Sequence, residues 1–160
     1  MKPFKILITD VDGSLTDSRI SVSENGDIIK TFNLKDLVAM KMVQDKNIPV
    51  VIITGNIDDC IRQYYNRMEN IYKGKLFIYT AVKNKYEKIN DILKKWELNW
   101  EDVAYFGDGS NDLESMQHSR WTGCPKDANE EIIKESHYIS DKNGGDGCLD
   151  DFVKNFILKD

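Results

Sequence analysis

The chain has 160 residues, of which 41% are hydrophobic and 31% charged, and its net charge is −5. This length suits one globular domain, and the acidic balance without a long basic run argues against a general binder of nucleic acid or anionic lipid. No apolar run approaches the ~20 residues that span a bilayer, and the N-terminus lacks a signal-peptide core. We therefore predict a cytoplasmic protein with reduced cysteines and with neither a nucleic-acid nor a membrane partner.

Short apolar runs alternate with amphipathic segments along most of the chain. The runs predict buried strands at 4–9, 48–53, 76–79 and 103–106, a weak strand at 121–124 and a short one at 138–139. The amphipathic segments predict helices over 36–46, 58–70, 85–97, 111–118, 129–135 and 150–158. Strands that alternate with helices indicate a three-layer, Rossmann-like α/β fold, with a parallel sheet between two helical layers. No linker interrupts the pattern, so 1–160 is predicted to be one domain.

A hairpin is predicted directly after the first strand, over about 19–32. Asn25-Gly26 stands between two alternating segments, and this pair favours a type I′ turn because both central residues need a positive φ. The hairpin would project from the parallel sheet.

Polar residues that could form a site follow four successive strands. Asp10 and Asp12 follow the first strand, Thr54 follows the second, and Asp108 with Asp112 follows the fourth. A lysine, Lys83 or Lys85, follows the third. Ligands of such sheets bind at the carboxyl ends of the strands, so these residues are predicted to share one site. Thr54 alone could be a helix cap and Asp108 alone a turn residue, but four such positions in order indicate a common function.

This set of side chains is typical of phosphoryl transfer. Clustered carboxylates repel one another unless a cation binds them, and their hard oxygens favour Mg²⁺. A lysine and a hydroxyl neutralise and orient a phosphoryl group, and a carboxylate can act as the covalent nucleophile.

The same residues resemble the motifs of the haloacid dehalogenase superfamily. Its first motif, DxDGxLT, is similar to residues 10–16, and its second is similar to the segment around Thr54. Lys85 is similar to the third, with Lys83 as the alternative, and residues 107–112 are similar to the fourth. The aspartate at position 12 is typical of the phosphatase and phosphomutase branches, because the dehalogenase branch lacks it.

The resemblance implies a role for each matched residue. Asp10 is implied to form an aspartyl-phosphate, and Asp12 to act as general acid and then general base. The implied Mg²⁺ ligands are the carboxylates of Asp10 and Asp108 and the main-chain carbonyl of Asp12, with Asp112 supporting them. The residues implied to bind the substrate are Thr54, Gly55, Asn56, Lys85 and Asn111.

The spacing of the motifs leaves no room for a cap domain, with 41 residues between Asp12 and Thr54 and 30 between Thr54 and Lys85. The hairpin and the glycine-rich segment 143–149 resemble the 3-deoxy-D-manno-octulosonate 8-phosphate phosphatase group, which includes nonulosonate phosphatases and a domain of some sialic-acid cytidylyltransferases. That resemblance implies a homotetramer, a phosphorylated sugar or sugar acid as substrate, and a tail that covers a neighbouring subunit's site.

Several cations of that group are absent from this chain. Asn56 stands where the group usually has Arg, Gln63 and Tyr64 replace an Arg pair, and no Arg follows Gly147 closely. Arg62 and Arg67 are near the second of these positions. The altered cations keep a weakly catalytic assembly module of the same fold as one alternative. A nucleic-acid 3′-phosphatase is the other alternative, because a site without a cap domain would be open to such a substrate. A response-regulator receiver is disfavoured because its phosphorylated Asp ends a later strand.

Overall fold

A computed structural model of the chain describes residues 3–67 and 75–159. Its strands are β1 (Ile6–Thr9), β2 (Ser21–Val22), β3 (Ile28–Ile29), β4 (Val50–Ile53), β5 (Leu76–Tyr79), β6 (Val103–Phe106), β7 (Trp121–Cys124) and β8 (Tyr138–Ile139). Its α-helices are α1 (Leu34–Asp45), α2 (Cys60–Arg67), α3 (Lys85–Lys95), α4 (Leu113–His118), α5 (Glu130–Glu135) and α6 (Cys148–Phe152).

Six of the strands form one parallel sheet in the order β5-β4-β1-β6-β7-β8. The central strand β1 pairs Leu7 with Val50 on one side and with Ala104 on the other. Every residue of β1, β4 and β6 is buried, which explains why these strands are continuous apolar runs and do not alternate.

Helices cover both faces of this sheet, as the sequence predicts. Leu7 belongs to one hydrophobic cluster together with side chains of α1, α2 and α6. Its neighbours Ile6 and Ile8 point to the opposite face and belong to a second cluster with side chains of α3, α4 and α5. The three-layer α/β prediction is confirmed. None of the helices within the described residues is long and apolar enough to cross a membrane.

All six helices differ from the predictions by at least one residue, and three of them show the larger changes described next. The first helix begins two residues early, because the Asn33 side chain accepts a hydrogen bond from the Lys35 N–H and caps it. The predicted helix 58–70 is observed as Cys60–Arg67, and residues 68–70 lie outside the described part of the chain. The predicted helix 150–158 begins at Cys148, and after Phe152 it continues as a π-helical turn over Val153–Ile157.

The hairpin is present, but its turn differs from the prediction. Its strands pair antiparallel through Ser21 with Ile29 and Val22 with Ile28, so five residues lie between the paired positions. Within this turn Gly26 has a positive φ of 83°, and Asn25 does not share that conformation. The predicted type I′ turn is therefore wrong. The Asp27 side chain accepts from the Ser23 hydroxyl and stabilises the wider loop.

Candidate active site

A cavity of about 370 Å³ opens at the carboxyl ends of β1, β4 and β6. Its lining contains seven of the predicted site residues together with Gly109. These seven are Asp10, Asp12, Thr54, Gly55, Asn56, Asp108 and Asn111. The other two predicted residues, Lys85 and Asp112, are buried. The structure thus brings the residues of all four motifs to one edge of the sheet.

Lys85 joins the first and fourth motifs. Its Nζ lies 2.7 Å from an oxygen of Asp10 and 2.7 Å from an oxygen of Asp112, and its side chain is 1% exposed. Asn84 caps α3 by accepting from the Glu87 N–H, which makes Lys85 the first residue of the helix. Lys83 is exposed. The geometry therefore favours Lys85 over Lys83 as the motif-three lysine.

Asp112 is held by four hydrogen-bond donors. One oxygen accepts from the Lys85 ammonium and from the Tyr105 hydroxyl at 2.6 Å, and the other accepts from the N–H groups of Asp108 and Gly109, both at 3.1 Å. With both oxygens engaged, Asp112 fixes the loop that carries Asp108. Sequence reasoning missed Tyr105, whose signal is one hydroxyl inside an otherwise apolar buried strand.

Carboxylate oxygens of Asp10, Asp108 and Asp112 lie within 4.8 Å of one another. The pKa of Asp10 is raised well above its usual range, mainly by burial and secondly by the negative charge of Asp112. The positive charge of Lys85 offsets part of this rise. Burial and Asp112 likewise raise the pKa of Asp108 to about 6. Such crowding of hard oxygen ligands fits a divalent cation, whose charge would relieve the repulsion.

Gly13 allows the first motif to lie directly against the fourth. A Cβ at this position would stand 2.0 Å from Oδ2 of Asp108, and the φ of Gly13 is 90°. Glycine is therefore the residue that this turn permits. The neighbouring Ser14 hydroxyl donates to Oδ1 of Asp108 at 3.2 Å, so the loop also orients the predicted metal ligand.

A second buried lysine, which the sequence did not indicate, forms an ion pair with Asp12. Lys30 Nζ lies 2.6 Å from Oδ1 of Asp12 and 2.5 Å from Oδ2 of Asp58, and the lysine side chain is 1% exposed. Burial alone would lower the pKa of Lys30, but its hydrogen bonds to Asp12 and Asp58 outweigh this and raise it. No signal in the sequence marks Lys30, because it follows a strand of a hairpin that resembles a surface ribbon.

The segment after β4 shapes the other wall of the cavity. Thr54 is buried, and its hydroxyl oxygen accepts from the Asn56 N–H at 3.1 Å. Arg62 is directed elsewhere, since it donates to Asp59 at 2.9 Å and to the Ile78 carbonyl at 3.1 Å. It does not line the cavity, and the Arg67 side chain lies outside the described part of the structure.

The glycine-rich segment packs on the first-motif loop of its own chain. The Gly145 N–H donates to the Ser14 carbonyl at 3.0 Å, and the Cys148 thiol contacts the same carbonyl at 3.2 Å. A Cβ at Gly144 would stand 2.0 Å from the Gly13 carbonyl oxygen. These contacts brace the loop from Asp10 to Thr16. The predicted cover of a neighbouring subunit's site stays a prediction.

Comparisons with known proteins agree with this geometry. Residues 56–151 match the haloacid dehalogenase-like hydrolase family. The 3-deoxy-D-manno-octulosonate 8-phosphate phosphatase of Salmonella typhi is 31% identical over 154 residues, which are 96% of this chain and 79% of that protein. N-acylneuraminate cytidylyltransferase B of Danio rerio is 27% identical over 96% of this chain, and the chain spans 36% of that protein.

Solved structures show the same fold. A probable YrbI family phosphatase from Pseudomonas syringae has a TM-score of 0.88 at 29% identity, covering 98% of this chain and 86% of the other. The phosphatase from Moraxella catarrhalis, solved with magnesium, phosphate and 3-deoxy-D-manno-octulosonate, has a TM-score of 0.84 at 25% identity, covering 94% and 83%.

The chain belongs to the haloacid dehalogenase-like hydrolases. Within that family it is a phosphatase and resembles the 3-deoxy-D-manno-octulosonate 8-phosphate phosphatases, so the predicted enzyme class and family are confirmed.

Proposed function

We propose that this phosphatase is a Mg²⁺-dependent phosphomonoester hydrolase that works through an aspartyl-phosphate on Asp10. Its substrate is proposed to be a small phosphorylated sugar or sugar acid. The observation that carries the proposal is the position of Lys85 between Asp10 and Asp112, beside a cluster of carboxylates that lines an open cavity.

Mg²⁺ would be held by the carboxylates of Asp10 and Asp108 and by the main-chain carbonyl of Asp12. Asp112 would support this site by fixing the Asp108 loop through the N–H groups of Asp108 and Gly109. When bound, the ion supplies positive charge that neutralises the oxygens of the transferring phosphoryl group.

The reaction has two chemical steps, and each residue of the site has a defined role in them. Asp10 attacks phosphorus while Asp12 donates a proton to the leaving oxygen, and the phosphoryl group is transferred to the Asp10 carboxylate. Asp12 then removes a proton from the water that hydrolyses this intermediate. The Thr54 hydroxyl, the Gly55 N–H and the Lys85 ammonium bind the phosphoryl oxygens. Asn56 and Asn111, at the rim of the cavity, would contact the leaving group.

The named relatives support the class of substrate. The Salmonella relative and the Moraxella structure are both named for 3-deoxy-D-manno-octulosonate 8-phosphate, and a Haemophilus influenzae relative was solved with cobalt. An octulosonate 8-phosphate or a nonulosonate 9-phosphate is therefore the first choice. Asn56 stands where the group usually has an Arg that would pair with the carboxylate of a sugar acid. Activity on a neutral sugar phosphate should therefore be compared with activity on these acids.

The hairpin supports the proposal of a homotetramer. It exposes apolar side chains at Ile20, Val22, Ile28 and Ile29, with exposures of 52%, 62%, 41% and 58%. An isolated two-stranded ribbon is marginally stable, so contact with other subunits would bury this surface. Light scattering should give a tetrameric mass for the wild type and a smaller one for Val22→Asp. A monomeric wild type at micromolar concentration would contradict the assembly.

Cytoplasmic localisation stays a prediction from the sequence.

Phosphate release from a panel of esters tests the proposed function. The panel contains sugar phosphates, 3-deoxy-D-manno-octulosonate 8-phosphate, a nonulosonate 9-phosphate and a 3′-phosphorylated oligonucleotide, each with Mg²⁺ or with EDTA. We expect metal-dependent release from a sugar or sugar-acid ester and none from Asp10→Asn. No release from any ester by the folded protein contradicts the hydrolase proposal, and undiminished release by Asp10→Asn contradicts the nucleophile.

A further inference from the structure

Lys30 is the one buried cation that the hairpin directs toward the cavity, among the hairpin residues that the structure describes. It directly follows β3, whose isoleucines are exposed, yet its own side chain is 1% exposed. Its ammonium lies 2.6 Å from Asp12 and 2.5 Å from Asp58. A buried ammonium requires such partners, because loss of hydration is otherwise costly.

The two partners of Lys30 come from separate parts of the fold. Asp12 follows β1, and Asp58 precedes α2, where its Oδ1 accepts from the Cys60 N–H at 3.2 Å. The Cys60 thiol in turn contacts the Ile28 carbonyl at 3.5 Å. The hairpin is therefore fixed against α2 at two points, which gives Lys30 a defined place beside Asp12.

This contact distinguishes the two oxygens of Asp12. Oδ1 is engaged by Lys30, whereas Oδ2 lies 3.4 Å from the Asn56 side-chain amide, which lines the cavity. We propose that Lys30 is a positioning residue for Asp12, because it holds Oδ1 so that Oδ2 faces the leaving oxygen of the substrate. The inference rests on the proposed function, in which Asp12 is the general acid.

The proton balance follows from this arrangement. In the first step an Asp10 oxygen bonds to phosphorus as the bond between phosphorus and the leaving oxygen breaks. The leaving oxygen keeps the electron pair of the broken bond and takes the proton from Oδ2 of Asp12. Asp12 then becomes a carboxylate beside the charged Lys30. In the second step Oδ2 takes a proton from water as the water oxygen bonds to phosphorus, and the Asp10 carboxylate is released with inorganic phosphate. Lys30 does not line the cavity and takes part in neither proton transfer.

Two esters with different leaving groups separate this role from a structural one. An alkoxide needs a proton to leave and a nitrophenolate does not, so general-acid catalysis matters for the first alone. For Lys30→Met we expect kcat/KM for an alkyl phosphate, such as a hexose 6-phosphate, to fall about 100-fold through kcat with KM nearly unchanged. For p-nitrophenyl phosphate, kcat/KM should stay within about threefold. Equal falls on both esters, or no fall on either, would overturn the proposal.

Two further variants serve as controls. Lys30→Arg keeps the charge and should recover most of the activity on the alkyl ester. Lys5 also pairs with a buried carboxylate, Asp102, at 2.9 Å, but outside the described cavity lining. Lys5→Met should therefore leave the ratio of the two kcat/KM values unchanged. A fall in that ratio for Lys5→Met, or no recovery in Lys30→Arg, counts against the proposal.

A crystal structure of Lys30→Met gives a readout that does not depend on activity. We expect the Asp12 carboxylate to leave its position toward Asn56, and an unmoved carboxylate would overturn the inference. If wild type hydrolyses neither ester, the proposed function fails, while this crystallographic result still decides whether Lys30 positions Asp12.

Discussion

Two buried lysines hold the two aspartates of the first motif, and their surroundings differ. Lys85 lies between Asp10 and Asp112, whose side chains are 7% and 0% exposed. Lys30 lies between Asp12 and Asp58, whose side chains are 26% and 9% exposed. Both aspartates line the cavity, but Asp10 is the more enclosed of the two and Asp12 is the more exposed to it.

The difference matches the two proposed roles. A nucleophile needs a fixed distance and direction to phosphorus, which an enclosed ion pair provides. A general acid and base must exchange protons with a leaving group and with water, so one of its oxygens has to remain accessible. Asp10 is therefore held rigidly, whereas Asp12, two positions further along the chain, stays accessible to the leaving group and to water.

Removal of Lys85 should cause the largest loss. Lys85→Met leaves Asp10 and Asp112 buried without their shared cation, and we expect kcat to fall about 1000-fold. The free energy of unfolding should fall by about 3 to 5 kcal/mol, because a buried charge loses its partner. Steady-state kinetics and thermal unfolding measure both effects. Lys83→Met is the matched control and should change neither; loss of activity in that variant would reverse the assignment of the motif-three lysine.

Asp36 shows what burial does to a carboxylate for which the described residues provide no ion pair. Burial, and repulsion by Asp150, raise its pKa from 3.8 to about 7, although backbone hydrogen bonds oppose the shift. The folded state therefore binds a proton more tightly than the unfolded state, so stability is lost as the pH rises from about 4 through 7.

The free energy of unfolding falls by about 4 kcal/mol by pH 8, as an upper bound. Asp36→Asn should flatten the dependence of the melting temperature on pH between 5 and 8. Asp45→Asn, at an exposed position of the same helix, should leave it as in the wild type. An unchanged slope in Asp36→Asn would contradict the shift.

Replacement of Asp112 should have a smaller effect than removal of Lys85. Asp112→Asn keeps an acceptor for Lys85 and Tyr105 but loses charge and weakens the contacts that fix the Asp108 loop. We expect the affinity for Mg²⁺ to fall about 10- to 100-fold, as for other residues that orient metal ligands. A titration of activity with Mg²⁺ measures the change. An unaltered titration curve would show that Asp112 does not support the metal site.

The sequence predicted the site residues that follow the buried strands of the parallel sheet better than it predicted Lys30 of the hairpin. Asp10, Thr54 and Asp108 each follow a buried apolar strand, and the carboxyl ends of parallel strands meet at one edge, so their proximity follows from the fold. Lys30 follows no such strand. Its contact with Asp12 depends on how the hairpin folds back toward α2, which local sequence patterns do not encode.

The turn of the hairpin shows the same limit at a smaller scale. Asn25-Gly26 correctly predicts a turn, but its type depends on where the strands pair. The observed pairing of Val22 with Ile28 leaves a five-residue loop in which the Asp27 side chain bonds to Ser23. Tyr105 was missed for a related reason, since its hydroxyl becomes significant once Asp112 is known to lie within reach.

The central claim, that Asp10 carries the phosphoryl group, can be tested most directly by trapping the intermediate. The wild type is mixed with a ³²P-labelled sugar-acid phosphate and Mg²⁺, quenched in acid and digested, and the labelled peptide is identified by mass spectrometry. The account predicts label on the peptide that contains Asp10, and none with Asp10→Asn or with EDTA. Turnover of the substrate with label on another residue, or with no labelled protein in rapid-quench samples, would contradict it.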